Sequence, residues 1–402
     1  MPEKRIVLKN CEVIDPKRIE TYIEKDGFKA WQKAAAMTPE QVIAEVKASN
    51  LRGRGGAGFP AGLKWEGTRN APGAERFVIC NADEGEVGTF KDRYILQNDP
   101  FSLIEGIAIA SYAIGAKQAY IYLRGEYHFL LDSLRGAIRQ SKEKGFLPNV
   151  DIEVREGSGA YICGEEMALM ESIEGKRGEL RYKPPFPTTQ GLWQMPTSIN
   201  NVETLMNVPQ IISNGAAWYN QIGTERSKGT KVLSVAGDVT KPGVHEMVLG
   251  SSLKELVVDL AGAKNVKLVQ IGGATGRIIP ASMLDTPLSF ETMLSAGAIT
   301  VYDESRNVID VVLRTMEFLA EESCGKCSPC REGTGVMVNI LEEFIKGTAA
   351  EKDIKILEEL SSTMMLSSLC GLGQAAPNAV VDSLKYFRSA YEERIQETEV
   401  VK

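Results

Sequence analysis

The sequence predicts an α/β protein with a mostly parallel, Rossmann-like sheet, followed by a β-grasp module and a C-terminal helical bundle. Buried-strand and helix patterns alternate from Arg76 onward, as in βαβ units covered by helices on both faces. Short strands replace them around Gly229, and amphipathic helices predominate from about Arg306. We expect four parts: an N-terminal segment with a glycine-rich loop (1–61), the parallel-sheet domain (62–228), the β-grasp module (229–303) and the helical bundle (304–402).

The N-terminal segment contains one well-marked helix. Thr38 is a plausible N-cap, Pro39 occupies the first helical position and Gln41 completes a capping box. The apolar pattern ends at Ser49 and Asn50, and the most glycine-dense stretch of the chain, residues 53–60, follows directly.

The parallel-sheet domain is predicted from three strands that alternate with helices. The strands are Phe77–Cys80, Ala119–Leu123 and Val150–Val154, and the helices are Pro100–Gly115, Phe129–Lys144 and Gly164–Ile173. A proline-rich loop (182–187) and an Asn-rich segment (199–204) close the domain. Because ligands bind outside the carboxyl ends of such strands, the turns at 81–86 and 157–166 predict a cofactor crevice.

The smaller module is predicted from a strand at Lys231–Val235, a turn at Pro242 and Gly243, a helix from Ser252 to Ala261 and a strand at Val266–Ile271. This succession resembles a β-grasp (SLBB, ubiquitin-like) fold.

Four cysteines carry the strongest chemical signal. Cys324, Cys327 and Cys330 are spaced by two residues each, and Cys370 lies far downstream. Three thiolates around one turn and a fourth from elsewhere in the fold suit a cubane iron–sulfur cluster. A structural zinc site or inert buried thiols are the alternatives, but zinc sites usually pair their cysteines two by two.

Composition excludes several other classes of protein. The chain has 402 residues, a net charge of −7 and no basic run, which argues against nucleic acid as a partner. Two histidines leave little room for histidine-based catalysis, and seven cysteines without a secretory leader argue against a disulfide framework. The longest apolar stretch, 104–116, is too short to span a bilayer, so we expect a cytoplasmic redox protein.

The glycine loop is ambiguous by itself. Gly53, Gly55 and Gly58 match a dinucleotide fingerprint, but a helix precedes them where that motif needs a strand, and an ordinary turn is the alternative. The turn at 163–166 opens a helix whose N-terminal amides suit a phosphate, although its two carboxylates could instead satisfy the helix dipole. Together with the cysteines, these signals indicate a nucleotide-type redox cofactor.

Seven motifs then resemble the NADH-binding flavoprotein subunit of respiratory complex I. They are Arg52-Gly-Arg-Gly-Gly-Ala-Gly-Phe-Pro60, Cys80-Asn-Ala-Asp-Glu84, Phe90-Lys-Asp-Arg93, Gly159-Ala-Tyr-Ile-Cys-Gly-Glu-Glu166, Lys183-Pro-Pro-Phe-Pro187, Asn200-Asn-Val-Glu-Thr204 and Glu322-Ser-Cys-Gly-Lys-Cys-Ser-Pro-Cys-Arg331. The same family includes diaphorase subunits of NAD-reducing and electron-bifurcating hydrogenases and of NAD-dependent formate dehydrogenases.

The resemblance implies FMN in the crevice, NADH stacked on it and a [4Fe–4S] cluster held by Cys324, Cys327, Cys330 and Cys370. It implies FMN contacts at Gly53, Arg54, Gly55, Lys64, Asn81, Asp83, Glu84, Tyr161, Gly164, Glu165, Glu166, Asn200, Asn201 and Thr204. It implies NADH contacts at Phe59, Glu86, Glu166, Lys183 and Phe186, with ordinary core packing as the alternative for the two phenylalanines. The chain departs from the family pattern at Gly67 and Val87.

The resemblance also implies an NADH:acceptor oxidoreductase that works within a larger complex. NADH would reduce FMN, and single electrons would pass through the cluster to partner subunits towards quinone. The implied partners are a thioredoxin-like [2Fe–2S] subunit and a further iron–sulfur subunit, and the complex would place the chain peripherally at the inner face of the membrane. The alternative is the diaphorase subunit of a hydrogenase or formate dehydrogenase, and a module that only docks partners is a third.

Overall fold

The computed structural model describes residues 3–396, so the outermost residues of the first and last predicted parts lie outside the described range. The N-terminal part contains α1 (Ile19–Ile23), α2 (Lys29–Ala35), α3 (Pro39–Ala48) and α4 (Ala61–Asn70). The capping box predicted at Thr38 is confirmed, since its hydroxyl accepts from the Gln41 amide and the Gln41 side chain accepts from the Thr38 amide.

The carboxylate of Glu246 makes several of the contacts between the start of the chain and the small module. Glu246 accepts hydrogen bonds from the successive backbone amides of Ile6, Val7 and Leu8, at 2.9 to 3.0 Å, and from the hydroxyl of Thr230. Its side chain is fully buried, and burial raises its pKa to about 7 against these hydrogen bonds.

The large sheet has four parallel strands in the order β3-β2-β1-β4. Its elements are β1 (Phe77–Ala82), α5 (Lys91–Asn98), α6 (Pro100–Ile114), β2 (Gln118–Leu123), α7 (Leu131–Glu143), β3 (Asp151–Glu156), α8 (Glu166–Ile173), α9 (Pro187–Gln190), β4 (Thr197–Asn201), α10 (Val202–Asn214) and α11 (Ala216–Tyr219). The three predicted strands are confirmed. The fourth falls in the Asn-rich segment, whose polar sequence hides a buried strand that pairs with β1.

The strand order reverses at β1. The chain leaves β1 towards β2 on one side, and β4 later adds on the other side, so β1 and β4 enclose a topological switch point. The register pairs Cys80 with Asn200 and Asn81 with Asn201 at the carboxyl ends of the two strands. Open parallel sheets bind their ligands at such a point.

The small module is a five-stranded mixed sheet in the order β6-β5-β9-β7-β8. Its strands are β5 (Thr230–Gly237), β6 (Gly243–Val248), β7 (Val266–Ile271), β8 (Arg277–Pro280) and β9 (Ala298–Asp303). The first and last strands, β5 and β9, are parallel and central, and antiparallel hairpins flank them, which is the arrangement of a β-grasp fold. The helix predicted from Ser252 is a short π-helical segment, Glu255–Leu260.

The C-terminal part is helical, with three long helices and three short ones. They are α12 (Val308–Glu321), α13 (Ser328–Lys346), α14 (Glu351–Ser367), α15 (Gly371–Ala375), α16 (Asn378–Tyr386) and α17 (Arg388–Glu392). No helix within residues 3–396 has the length and apolarity required to cross a membrane.

The hydrophobic cores cross the boundaries expected from the sequence. One core joins the N-terminal helices to a face of the parallel sheet, with Trp31, Trp65 and Ile104 among its members. A second joins the opposite face of that sheet to the helical bundle, and a third fills the β-grasp module. The N-terminal segment therefore packs as part of the parallel-sheet domain.

Candidate functional site

A cavity of about 680 Å³ opens at the carboxyl ends of β1 and β4. This size lies within the range of about 300–1,000 Å³ typical of cofactor sites. It is lined by residues of the glycine loop, of both strand ends, of the turn before α8, of the proline-rich loop and of the helical bundle. Predicted FMN contacts that line it are Gly53, Gly55, Lys64, Asn81, Gly164, Glu165, Glu166, Asn200, Asn201 and Thr204, and predicted NADH contacts are Phe59, Glu166, Lys183 and Phe186.

The glycine loop packs closely on its surroundings at two positions, Gly55 and Gly58, where a side chain would force a neighbour to move. A β-carbon on Gly55 would lie 3.0 Å from Cβ of Asn201, and one on Gly58 would lie 2.8 Å from the Phe290 ring. Gly58 also has a φ of +65°, in the left-handed region that favours glycine. The loop thus presents its backbone to the cavity, as a planar or anionic ligand requires.

Arg54 differs from the prediction, because its side chain points away from the cavity. The guanidinium is completely buried and donates to the carbonyls of Arg52, Lys228 and Thr230 and to the hydroxyl of Tyr219. The backbone amide of Arg54 donates to Oγ1 of Thr204 at 2.9 Å. Arg54 therefore anchors the glycine loop to α10 and to the β-grasp module.

Two lysines and two carboxylates form the charged wall of the cavity. Lys183 Nζ lies 2.9 Å from Glu165 and 2.7 Å from Glu166, and Lys64 Nζ lies 3.8 Å from Glu166. Burial alone would raise the pKa of Glu166, but Lys64 and Lys183 hold it below its usual value. Burial lowers the pKa of Lys64, which also donates to the Ile199 carbonyl. The wall is close to neutral and offers both donors and acceptors.

Glu165 resolves the ambiguity of the turn at 163–166. It is the N-cap of α8, and its Oε2 accepts from the amides of Met167 and Ala168 at 2.7 and 3.2 Å. These amides were predicted to suit a phosphate, but the carboxylate already satisfies them. These two amides are therefore not available to an anionic group of a ligand.

The mouth of the cavity carries exposed aromatic rings. Phe59 and Phe186 keep 53% and 55% of their surface accessible, so the alternative of ordinary core packing does not hold for them. Phe186 follows Lys183-Pro184 and Pro184-Pro185, which are both cis peptides. An exposed ring at a cavity mouth is available for stacking on a nucleotide base.

Three acidic or phenolic side chains among the predicted FMN contacts do not line the cavity, namely the carboxylates of Asp83 and Glu84 and the phenol of Tyr161. Glu84 accepts from the amides of Asp92 and Arg93 and from the Tyr127 hydroxyl, so it anchors the start of α5. Asp83 lies next to the lining residue Gly164, and its Oδ2 is buried with no hydrogen-bond partner among residues 3–396. Burial raises the pKa of Asp83 to about 7. An unpaired buried acceptor beside the cavity suits a ligand hydroxyl.

Tyr161 and Glu86, predicted for FMN and NADH respectively, bond to each other and to the β-grasp module. Glu86 accepts from the Tyr161 hydroxyl at 2.8 Å, from the Thr275 hydroxyl at 2.8 Å and from the Ala274 amide at 2.7 Å. Burial raises the pKa of Glu86. The carboxylate thus links the parallel-sheet domain to the turn between β7 and β8, beside the cavity and not in its wall.

The four cysteines lie at one end of the bundle. Cys324 and Cys327 precede α13, Cys330 is in its first turn, and Cys370 is the N-cap of α15. All four belong to or pack against the same apolar cluster, and burial raises the pKa of the Cys330 thiol to about 11, with smaller contributions from the other three. Within residues 3–396, no three His, Cys, Asp or Glu side chains are arranged to hold a single metal ion. The ligand set stays a prediction, supported by the grouping of the thiols.

The loop that carries Cys324 and Cys327 is hydrogen-bonded to residues 177–180, which precede Lys183 of the cavity wall. Lys326 Nζ donates to the Leu180 carbonyl at 2.6 Å, and Arg177 donates to the Cys324 carbonyl at 2.9 Å. Gly371, directly after Cys370, lines the cavity. The predicted cofactor crevice and the predicted cluster site are therefore neighbours.

Part of the cavity wall lies outside the predicted FMN and NADH contacts, namely Ala57, Gly58, Ala61, Pro187, Thr188, Thr197, Ile199 and Gly371. Most are small or apolar and have no chemical signature. Gly371 could have been found, since Cys370-Gly371-Leu372-Gly373 is an unusual glycine pattern beside a proposed ligand.

Comparison with known proteins agrees with this geometry. Residues 46–210 match the Nuo51 FMN-binding domain, and residues 310–394 match the NADH-ubiquinone oxidoreductase-F iron-sulfur binding region. The chain is 42% identical to an F subunit of the NADH-quinone oxidoreductase of Rhizobium meliloti (strain 1021), over 98% of each chain. It is 41% identical to NADP-reducing hydrogenase subunit HndC of Solidesulfovibrio fructosivorans, over 98% of this chain and 84% of that one.

The fold agrees as well. The crystal structure of an NAD+-reducing [NiFe]-hydrogenase in the H2-reduced state superimposes with a TM-score of 0.91 at 39% identity, over 99% of this chain and 68% of that one. The sheet order, the cavity at its switch point and the four grouped cysteines thus occur in a chain that belongs to the family of NADH-quinone oxidoreductase F subunits, which also includes hydrogenase subunits.

Proposed function

We propose that this chain is the electron-input subunit of a multisubunit NADH dehydrogenase, which oxidises NADH at FMN and passes electrons through a [4Fe–4S] cluster to partner subunits towards quinone. One observation carries the proposal: a single cavity is lined by the glycine loop and strand-end asparagines on one side and by Gly371, next to Cys370, on the other. A site for a nucleotide cofactor and a site for a cluster are thereby adjacent.

FMN, when bound, accepts a hydride from NADH and releases electrons one at a time, chemistry that no side chain supplies. The side chains and backbone of this chain bind and orient the cofactor. The backbone of Gly53 and Gly55 allows close approach. Asn81, Asn200 and Asn201 line the strand ends, and each of their Nδ2 atoms donates one hydrogen bond within the protein and retains a second N–H. The free Oδ2 of Asp83 is available to a ribityl hydroxyl.

NADH would enter at the open side of the cavity. The exposed rings of Phe59 and Phe186 would stack on the adenine, and Lys183 and Glu166 line the same cavity. Glu86 already accepts three hydrogen bonds, so it could contact a ribose only through its one remaining acceptor site or by exchanging a present donor for a hydroxyl of the nucleotide. We therefore expect Glu166 to contribute at least as much as Glu86 to the nucleotide preference.

The cluster ligands would be Cys324, Cys327, Cys330 and Cys370. Because Cys370 follows α14 and the other three lie at the start of α13, a cluster would join two segments of the bundle. The partner subunits of this chain would be a thioredoxin-like [2Fe–2S] protein and a further iron–sulfur protein. Association with these subunits would place the chain peripherally at the inner face of the membrane.

A second candidate is the diaphorase subunit of an NAD-linked hydrogenase or formate dehydrogenase. It is favoured by the TM-score of 0.91 with an NAD+-reducing hydrogenase and by the nearly equal identities to the two kinds of relative, 42% and 41%. Both candidates share the NADH, FMN and cluster chemistry and differ in the partner.

Two measurements test the proposal. The chain purified anaerobically should retain FMN and reduce ferricyanide with NADH, and recovery of FAD or of no flavin would contradict it. Co-purified subunits then decide between the candidates, since membrane-bound partners indicate a quinone-linked complex, whereas a hydrogenase or formate dehydrogenase subunit indicates the second.

A further inference from the structure

Four ionisable side chains are completely buried behind the wall of the cavity, at the junction of the parallel-sheet domain and the β-grasp module. We call them the buried ion cluster: Lys91 and Asp92 at the start of α5, Glu203 in the first turn of α10, and Lys231 on β5. No more than 4% of any of these side chains is exposed. Burying ions costs free energy of folding unless they are closely paired, so a buried group of four ions must be held by specific pairing.

The cluster is paired through one carboxylate. Glu203 Oε2 lies 2.5 Å from Lys231 Nζ and 3.0 Å from Lys91 Nζ, while Oε1 accepts from the Val232 amide at 2.8 Å. Lys91 Nζ also lies 2.7 Å from Asp92 Oδ1. With all four groups ionised, two positive and two negative charges balance, and the buried guanidinium of Arg54 near Glu203 and carboxylate of Glu84 near Lys91 add one further charge of each sign when ionised. Removing any one of them leaves a net charge in a medium where charges are weakly screened.

The cluster fixes Asn201, which lines the cavity. Asn201 Oδ1 accepts from Lys91 Nζ at 3.3 Å and from the Glu203 amide at 3.0 Å, and its Nδ2 donates to Asp92 Oδ2 at 2.7 Å. Every polar atom of this amide is thus committed to the cluster, and the Cβ of Asn201 supports the glycine loop at Gly55. Asn201 therefore connects the buried ion cluster to the wall of the cavity.

We propose that the buried ion cluster is a potential-setting and positioning site for the flavin, in which Lys231 of the β-grasp module balances the charge behind Asn201. This inference rests on the proposed binding of FMN in the cavity. A hydride brings two electrons and one proton, and thus one negative charge, to the flavin, so reduction is favoured by positive and disfavoured by negative charge nearby. The module would then regulate how strongly the cavity favours the reduced flavin, without touching it.

The test uses variants that change the cluster charge in opposite directions. Lys231→Met leaves an excess negative charge, Asp92→Asn leaves an excess positive charge, and the double variant restores the balance. Lys254→Met, an exposed lysine of the same module, is the control. Because burial lowers the pKa of Lys231 to about 7 against the effect of Glu203, measurements at about pH 6 keep the ammonium charged.

The readouts are the midpoint potential of bound FMN, followed by its absorbance during reductive titration, and the affinity of the apoprotein for oxidised FMN, followed by fluorescence quenching. Lys231→Met should lower the preference for reduced over oxidised FMN about tenfold, or about 30 mV for a two-electron couple. Asp92→Asn should shift the potential upward, and the double variant should return close to wild type and to the Lys254→Met control.

Potentials that are unchanged, or that shift downward in both single variants and further in the double, would overturn the inference in favour of a purely structural role. If Lys231→Met does not fold, Asp92→Asn decides, since absence of an upward shift overturns the inference. Failure of the wild type to bind FMN would overturn both this inference and the proposed function. Normal FMN binding with unshifted potentials would overturn this inference alone.

Discussion

The turn between β7 and β8 gives a quantitative test of how the β-grasp module is held to the parallel-sheet domain. Gly273 has a φ of +72°, and a β-carbon there would lie 2.4 Å from Cγ and Oε1 of Glu86. Gly273→Ala therefore combines an unfavourable backbone conformation with a clash against a carboxylate that three donors hold in place. We expect this variant to be clearly destabilised.

The magnitude follows from two contributions. A left-handed conformation costs an alanine about 1–2 kcal/mol relative to glycine. Displacement of Glu86 leaves the buried amide of Ala274 without an acceptor, which costs about 1–3 kcal/mol. The sum is a loss of about 2–5 kcal/mol. Gly145→Ala is the matched control, because Gly145 has a φ of +79° but a β-carbon there would meet no neighbouring atom within 4 Å.

The assay is urea unfolding followed by tryptophan fluorescence and circular dichroism. Gly273→Ala should lose about 1–3 kcal/mol more than Gly145→Ala. In a double-mutant cycle with Glu86→Ala, the clash disappears, so the double variant should lose less than the sum of the single ones. Equal losses for the two glycine variants, with additive behaviour in the cycle, would refute the reasoning that the turn is locked onto Glu86.

Three further predictions follow from other contacts. Cys370→Ser should lose the cluster although Cys324, Cys327 and Cys330 remain, whereas NADH should still reduce the flavin. An unchanged iron content and an unchanged EPR signal in the variant would exclude Cys370 as a ligand. Glu86→Gln and Glu166→Gln should each raise the ratio of kcat/KM for NADPH to that for NADH, because each removes a charge that repels a 2′-phosphate. The increase should be up to about tenfold, or about 1.4 kcal/mol. If the ratio is unchanged in both single variants and in the double variant, these carboxylates do not belong to the nucleotide site. Glu246→Gln should destabilise the protein by about 1–3 kcal/mol, since glutamine has one oxygen in place of two and at least one of the three buried amides then loses its acceptor. Because the pKa of Glu246 is raised in the folded state, this group makes the wild type lose stability as pH rises from about 4.5 to about 7, and the slope should become smaller in the variant, where only other carboxyls such as Asp83 contribute.

The fold was largely predictable from local patterns, and the exceptions have physical causes. β1 and β2 are apolar strands buried on both faces, and β3 alternates buried apolar residues with exposed polar ones, so all three sequences carry a clear signal. β4 reads Thr-Ser-Ile-Asn-Asn, and its pairing with β1 is decided by tertiary contacts that no local pattern encodes. The packing of the N-terminal helices on the large sheet is equally non-local.

The candidate site was predictable where chemistry requires a residue type and less so where it requires only a position. The glycines, the lysines and the strand-end asparagines of the cavity carry such signatures. Arg54 and Glu84 lie in the same motifs but serve the interior, one anchoring the glycine loop and the other the start of α5. A motif marks a segment, and only the packed structure distinguishes the side chains that face the ligand from those that support it.

The position of Gly371 in the cavity wall has a consequence for biosynthesis. At a translation rate of about 5–20 residues per second, roughly 15–60 s separate the emergence of the glycine loop from that of Gly371. During this interval the nascent chain can fold its parallel sheet but lacks the last part of the wall. Tight retention of a flavin, and insertion of a cluster at the neighbouring thiols, would then belong to the same late step of maturation, after the ribosome has released the bundle.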